Sequence, residues 1–285
     1  MKKRNIAAGM LALVGAVLVV AAFATGVTDY PVFAGSLRGG FETREVILEG
    51  PITDLDADLS MFSFELRTGN TEEAVLRYPV AKDAGQYTFS YEQSGGELTL
   101  KDEWHGHGRG RFGMHFGRGG LMGQNDTKVV LTLPAGTVLE QLDAELNMGS
   151  ILIEDVEAGR SSLAIDMGSL TVNDSNLGVM HARLDMGSFD MRGLVLADGS
   201  KAVLSMGSAD GSLTFRGDLH VEASMGSVNL QLVDTRPISY DVKADMGSIE
   251  IGGREERGNA LHNEPEAKGK ITAHVNMGSI EIAYR

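Results

Sequence analysis

The sequence predicts an all-β fold, a β-solenoid or repeat-sheet domain built from layers of about 20 residues, and three observations predict it. The first is a tripeptide found seven times: Met148-Gly149-Ser150, Met167-Gly168-Ser169, Met186-Gly187-Ser188, Met206-Gly207-Ser208, Met225-Gly226-Ser227, Met246-Gly247-Ser248 and Met277-Gly278-Ser279. The steps between the methionines are 19, 19, 20, 19, 21 and 31 residues. The second is apolar alternation on both sides of each copy. Two residues before each Met stand Leu146, Ile165, Leu184, Leu204, Ala223, Ala244 and Val275. Directly after each Ser stand Ile151, Leu170, Phe189, Ala209, Val228, Ile249 and Ile280. A period of two marks a strand with one buried face. The third is a slip in that period: the step from Met to the next apolar residue is three, not two. A Gly at the slip suits a bend, because it reaches positive φ without a Cβ penalty.

Each repeat therefore reads as strand, Gly-Ser corner, strand and turn. The turns are marked by Glu157-Ala158-Gly159, Asn173-Asp174-Ser175-Asn176 and Ala197-Asp198-Gly199. One repeat cannot bury its own apolar face, but stacked copies can, at about 4.8 Å per layer. Equivalent residues then form ladders. The alternation places the methionines in the inward set, so Met186→Asp is expected to unfold the stack by burying an unpaired charge.

Composition narrows the function. The chain has 285 residues and no Cys, so there is no disulfide framework and no thiol chemistry. The net charge of −14 argues against nucleic acid as a partner and favours solubility outside the cell.

Taken in order, Lys2-Lys3-Arg4 precede an uncharged apolar run from Ile6 to Ala24. Segment 1–26 reads either as a single-pass membrane anchor or as a signal peptide cleaved near Ala24, where Ala22-Phe23-Ala24 has the small-x-small pattern. Both readings place the rest of the chain outside the cytoplasm, since positive charge stays inside. Residues 27–40 form a linker, and 41–285 form the β-repeat domain. Within it, 41–103 carries six strand-like stretches, 104–126 is a Gly/His/Arg-rich loop, and 127–285 holds the repeats, interrupted by a charged insert at 252–270. The chain ends on a strand with no evident cap, so self-association through that edge is expected.

Several stretches carry a family resemblance. They are Ile52-Thr53-Asp54-Leu55-Asp56-Ala57-Asp58-Leu59, Gly95-Gly96-Glu97-Leu98-Thr99-Leu100, Val129-Val130-Leu131-Thr132-Leu133-Pro134-Ala135-Gly136-Thr137 and the Gly-containing strand pairs that follow. In that order they resemble the bacterial "putative adhesin" β-strand-repeat family, a domain of unknown function related to the toast-rack domains of cell-envelope stress proteins. The family's repeats usually carry Ser-Gly-Asp before an aliphatic residue, where this chain has Met-Gly-Ser. The resemblance implies a β-repeat fold at the cell envelope and brings no enzyme activity or site residues with it.

Three groups of residues are candidates for chemistry. His105, His107 and His115 can ligate a metal, and Arg109, Arg111 and Arg118 beside Phe112 and Phe116 can touch polyanions or lipid headgroups. The simpler reading is a Gly-rich loop without a metal site. Asp166 and Asp185, each preceding a Met, would stand in an outward ladder. They are either a solvated strand face, Ca²⁺ ligands, or the acid–base pair of a polysaccharide-active β-helix enzyme. The methionines can bind Cu(I) through thioethers but read first as core. No nucleophile elbow, phosphate-binding loop or zincin motif is present. The expectation is a non-enzymatic extracytoplasmic module without cofactor, acting as an adhesin-like scaffold or envelope-stress sensor. Its expected partners are the membrane and an envelope polymer, lipid headgroup or membrane protein.

Overall fold

The computed structural model describes residues 41–60, 62–81, 87–104, 128–233 and 237–284. The N-terminal apolar run, the linker at 27–40 and the His/Arg loop fall outside the described residues. Among those described, no helix is long and apolar enough to cross a membrane.

The repeats form long strands: β8 (Val138–Glu154), β9 (Glu157–Asn173), β10 (Val179–Leu196), β11 (Ser200–Phe215), β12 (Gly217–Leu232), β13 (Ile238–Ile251) and β16 (Gly269–Tyr284). A straight strand of 17 residues, the length of β8, would run about 56 Å. Yet the three steps from Glu154 to Glu157 reach at most about 11 Å, and β9 pairs with β8 in parallel, Val138 beside Glu157 and Glu154 beside Asn173. Each layer must therefore double back on itself, with one bend at Met-Gly-Ser and one at the turn between layers. The all-β repeat stack expected from the tripeptide is the fold observed.

The two limbs of each layer bury their inward residues against each other. In β8 these are Leu142, Ala144 and Leu146 on the first limb, and Ile151 and Ile153 on the second, none more than 4% exposed. Neighbouring layers stay in register, Met on Met and Gly on Gly. The 20-residue step from Met186 to Met206 is absorbed by a bulge between Met191 and Leu194 of β10, where Gly193 sits at φ 64°. In the core column that follows the serines, the largest side chain lies beside the smallest, Phe189 beside Ala209.

The methionines are not in this core, which corrects the inward placement. Four residues, Asn147–Ser150 in β8, lie between the last inward residue of one limb and the first of the next. Met occupies the outside of that bend, where no opposing limb exists to cover it. Met167, Met225, Met277 and Met246 are 39%, 40%, 42% and 63% exposed, and Met148, Met186 and Met206 are partly exposed. The phase slip is real, but the bend consumes the Met along with the Gly and Ser.

The Gly is there for a steric reason. Its φ lies between 140° and 158° in all seven copies. From Gly168 onward, a Cβ at each corner would fall well under 3 Å from the carbonyl oxygen of the Gly in the adjoining layer. Each corner thus nests on the one before it. Gly149 differs: its nearest neighbour would be Leu146 Cδ2 at 3.4 Å.

Before β8 the layers are split. β2 (Asp54–Leu59) and β3 (Ser63–Gly69) pair with the two limbs of β8 and make one layer. Its bend falls between Leu59 and Phe64, which register with Leu146 and Ile151. Ser150 Oγ donates to Ser63 Oγ at 2.9 Å, continuing the serine column. The sequence there reads Ser60-Met61-Phe62-Ser63, a degenerate eighth corner hidden from a tripeptide search by Phe in place of Gly; Met61 is outside the described residues. β6 (Glu97–Trp104) and β7 (Lys128–Pro134) form the next layer on β2 and β3.

Antiparallel strands close both ends. β4 (Ala74–Ala81) lies on β7, β1 (Phe41–Leu48) lies on β4, and β5 (Tyr87–Ser94) lies on β6. Phe41, Phe62 and Tyr87 pack edge to face at 4.6–5.9 Å beneath them. At the other end β16 fits between β12 and β13. The chain lays β13 one layer further out, turns back through β14 (Arg254–Glu256) and β15 (Asn259–His262), which pair antiparallel with the two limbs of β13, and then fills the gap. One expectation is corrected here. The C-terminal strand is an inner layer, not an edge open to self-association. The charged insert at 252–270 supplies a cap and the start of β16, and its charged β14 discourages further strand addition.

Candidate functional site

The outer rim of the bends is the most distinctive surface of the stack. In spatial order it carries Met148, Met167, Met186, Met206, Met225, Met277 and Met246, one per layer. At about 4.8 Å per layer the column runs about 29 Å. The residues before them are polar: Asn147, Asp166, Asp185, Ser205, Ser224, Asn276 and Asp245. The serines of the tripeptide flank the other side, and Ser169 and Ser188 are buried. Met is thus the apolar side chain that the rim carries in each of these seven layers.

Asp166 and Asp185 occupy matching positions in β9 and β10, as a ladder requires. Their environments do not suit acid–base catalysis. Arg183 donates from Nη2 to both carboxylate oxygens of Asp185, at 3.1 and 3.0 Å, and Ser205 Oγ donates to Oδ1 at 3.1 Å. The Arg183 hydrogen bonds foremost hold Asp185 below the usual carboxylate range, against an opposing desolvation and with further help from Ser205. A general acid needs the opposite shift. Asp166 is exposed. Asp245 is likewise held low, by hydrogen bonds from Lys243 and then His274, at 2.6 and 3.1 Å.

The flat faces satisfy themselves within and across layers. Lys201 reaches Glu222 at 3.4 Å, His220 Nε2 lies 2.7 Å from the same carboxylate, and Asn229 Nδ2 donates to Asp210 Oδ1 at 2.7 Å. Exposed pairs of this kind are each worth no more than about 1 kcal/mol. They organise the face. Among the described residues no three His, Cys, Asp or Glu side chains converge to hold a metal ion.

Clefts among the described residues include two that could hold a small ligand. One, of about 390 Å³, opens under the C-terminal cap and is lined by Tyr240, Tyr284, Arg254, Glu256, His262 and Glu264, with the Tyr240 and His262 rings 5.3 Å apart. The other, of about 220 Å³, lies at the turn between β1 and β2 beside Val138. The first mixes both charge signs around two aromatic rings, but no buried ionised group points into it.

The predicted loop residues His105, His107, Arg109, Arg111, His115 and Arg118 fall outside the described residues, but the loop's place in the topology does not. β6 and β7 are the two limbs of one layer, with Lys101 beside Asp58 and Lys128 beside Ser63. The end of β6 and the start of β7 therefore both lie on the Met side of their layer. Matching Glu97-Leu98-Thr99-Leu100 and Val129–Leu133 as limbs of a single repeat would have revealed this from sequence.

Comparison with solved structures gives several similar chains. The chain is similar to a "putative cell adhesion protein" from Clostridium sporogenes (13% identity, 86% of this chain and 100% of that one, TM-score 0.32). It is similar also to a "putative adhesin" from Bacteroides fragilis (10%, 85% and 96%, TM-score 0.46) and a "putative lipid binding protein" from Parabacteroides distasonis (14%, 87% and 98%, TM-score 0.38). No curated protein matches. A family model, Toastrack DUF4097, matches residues 52–215, from the first split layer to the end of β11, and this is more than half of the chain. The chain belongs to the Toastrack DUF4097 family.

Proposed function

We propose that this protein is a non-enzymatic, adhesin-like binding module, held at the outer side of the cell membrane by its N-terminal segment. The carrying observation is topological. In a capped stack of paired layers, β6 ends and β7 begins at the Met rim, so the residues that join them in sequence, 105–127, are tied to the stack there at both ends. The stack acts as a stiff support, and the insert, with Arg109, Arg111 and Arg118 beside Phe112 and Phe116, makes contact with an anionic envelope polymer or lipid headgroup. The apolar run 6–24 supplies the tether, or is removed and releases the module. The self-paired charges of the flat faces support a scaffold rather than a catalyst, and Asp185, held ionised, supports no glycan-cleaving pair with Asp166.

The test is co-sedimentation of the full-length protein, in detergent, with purified envelope polymer and with anionic vesicles. Deleting Gly106–Gly120 is expected to abolish binding while leaving the melting temperature unchanged. Undiminished binding by the deletion variant would remove the insert from the proposal. Saccharide release that disappears in Asp166→Asn and Asp185→Asn would replace the whole reading with an enzymatic one.

A further inference from the structure

We infer that the Met rim is a binding site for soft monovalent metal ions, Cu(I) or Ag(I), held between thioethers of neighbouring layers. The bend itself explains the Gly, and the core explains the aliphatic residues on either side, but neither explains the Met. It lies outside the core and is 39–63% exposed in four layers, between polar neighbours that would be more soluble company for a polar residue. Methionine also has no special aptitude for strands, where β-branched and aromatic residues are favoured. What Met alone offers among apolar side chains is a polarisable thioether sulfur.

The register supplies the spacing. Met pairs with Met in every step of the column. A metal–sulfur bond is about 2.3 Å, so a two-coordinate ion between two sulfurs spans about 4.6 Å. In-register strands stand about 4.8 Å apart. Neighbouring thioethers are therefore set to bridge one ion without moving the backbone. Ligand softness selects the metal: thioethers take Cu(I) and its heavier congener, whereas Zn²⁺ and harder ions look for Cys, His or carboxylate groups. Among the described residues no such group of three is gathered anywhere. A thioether carries no proton, so this site, unlike one built from Cys or His, does not compete with protons for its metal.

The experiment is an anaerobic Cu(I) competition titration of the full-length protein against a chromogenic chelator, with X-ray absorption at the copper edge. The comparison is the triple variant Met167→Leu, Met186→Leu, Met206→Leu, a volume-conserving change that leaves the bend intact. The expected result is uptake by the unaltered protein with sulfur-only coordination, equal affinity between about pH 7 and pH 5, and loss of most of that uptake in the triple variant. The inference is overturned by absence of uptake, or by uptake that the triple variant retains. It is overturned equally by nitrogen coordination with loss of metal at the lower pH, which would put the ion on His105, His107 and His115 instead. The absorption spectrum of the unaltered protein keeps the outcome readable even if the triple variant folds poorly.

Discussion

Two adjacent columns of the same tripeptide, the glycines and the methionines, repeat equally often for different reasons. The Gly column is sterically compelled: from Gly168 onward each member sits at positive φ over the carbonyl of its neighbour, where no side chain fits. The Met column is not compelled by packing at all, since its members lie outside the core and up to 63% exposed. Repetition in a solenoid can therefore record either a constraint of the fold or a property of the surface. Only the environment of each residue tells which.

The comparison can be broken or sharpened by substitution. The largest effect is expected from Gly187→Ala, whose Cβ would strike the Gly168 carbonyl. Strained φ and backbone overlap together should cost more than about 3 kcal/mol, read as a fall in the urea midpoint or as loss of folded protein. Gly149→Ala should cost less, about 1–2 kcal/mol, because the same positive φ is present but the nearest atom is 3.4 Å away. Equal losses at the two sites would mean that φ, and not nesting on the adjoining carbonyl, fixes the glycine.

Much of the stack was legible from sequence because period-two alternation and a fixed step survive in every repeat. The six strands before residue 104 were legible too, as alternating runs separated by Gly- and Asn-containing turns. What was not legible was the pairing of strands distant in sequence. Nothing local says that β2 and β3 form one layer with a bend at Phe62, or that β16 slips between β12 and β13. The parity rule also failed at the Met, because alternation counts residues along a straight strand, whereas four residues per layer turn around the rim. At the rim, the repeat places Asp166 and Asp185 in one ladder, but nothing in its period marks Arg183, two residues from Asp185 along the same limb, as the group that holds Asp185 ionised.

The most direct test of the distinction places the two columns side by side in one layer: urea unfolding of the full-length protein carrying Gly187→Ala or Met186→Ser. The account predicts a loss above about 3 kcal/mol for the first. For the second it predicts a loss below about 1 kcal/mol, as for a partly exposed side chain on a surface bend. A Met186→Ser variant that unfolds as readily as Gly187→Ala would contradict it and return the methionines to the core.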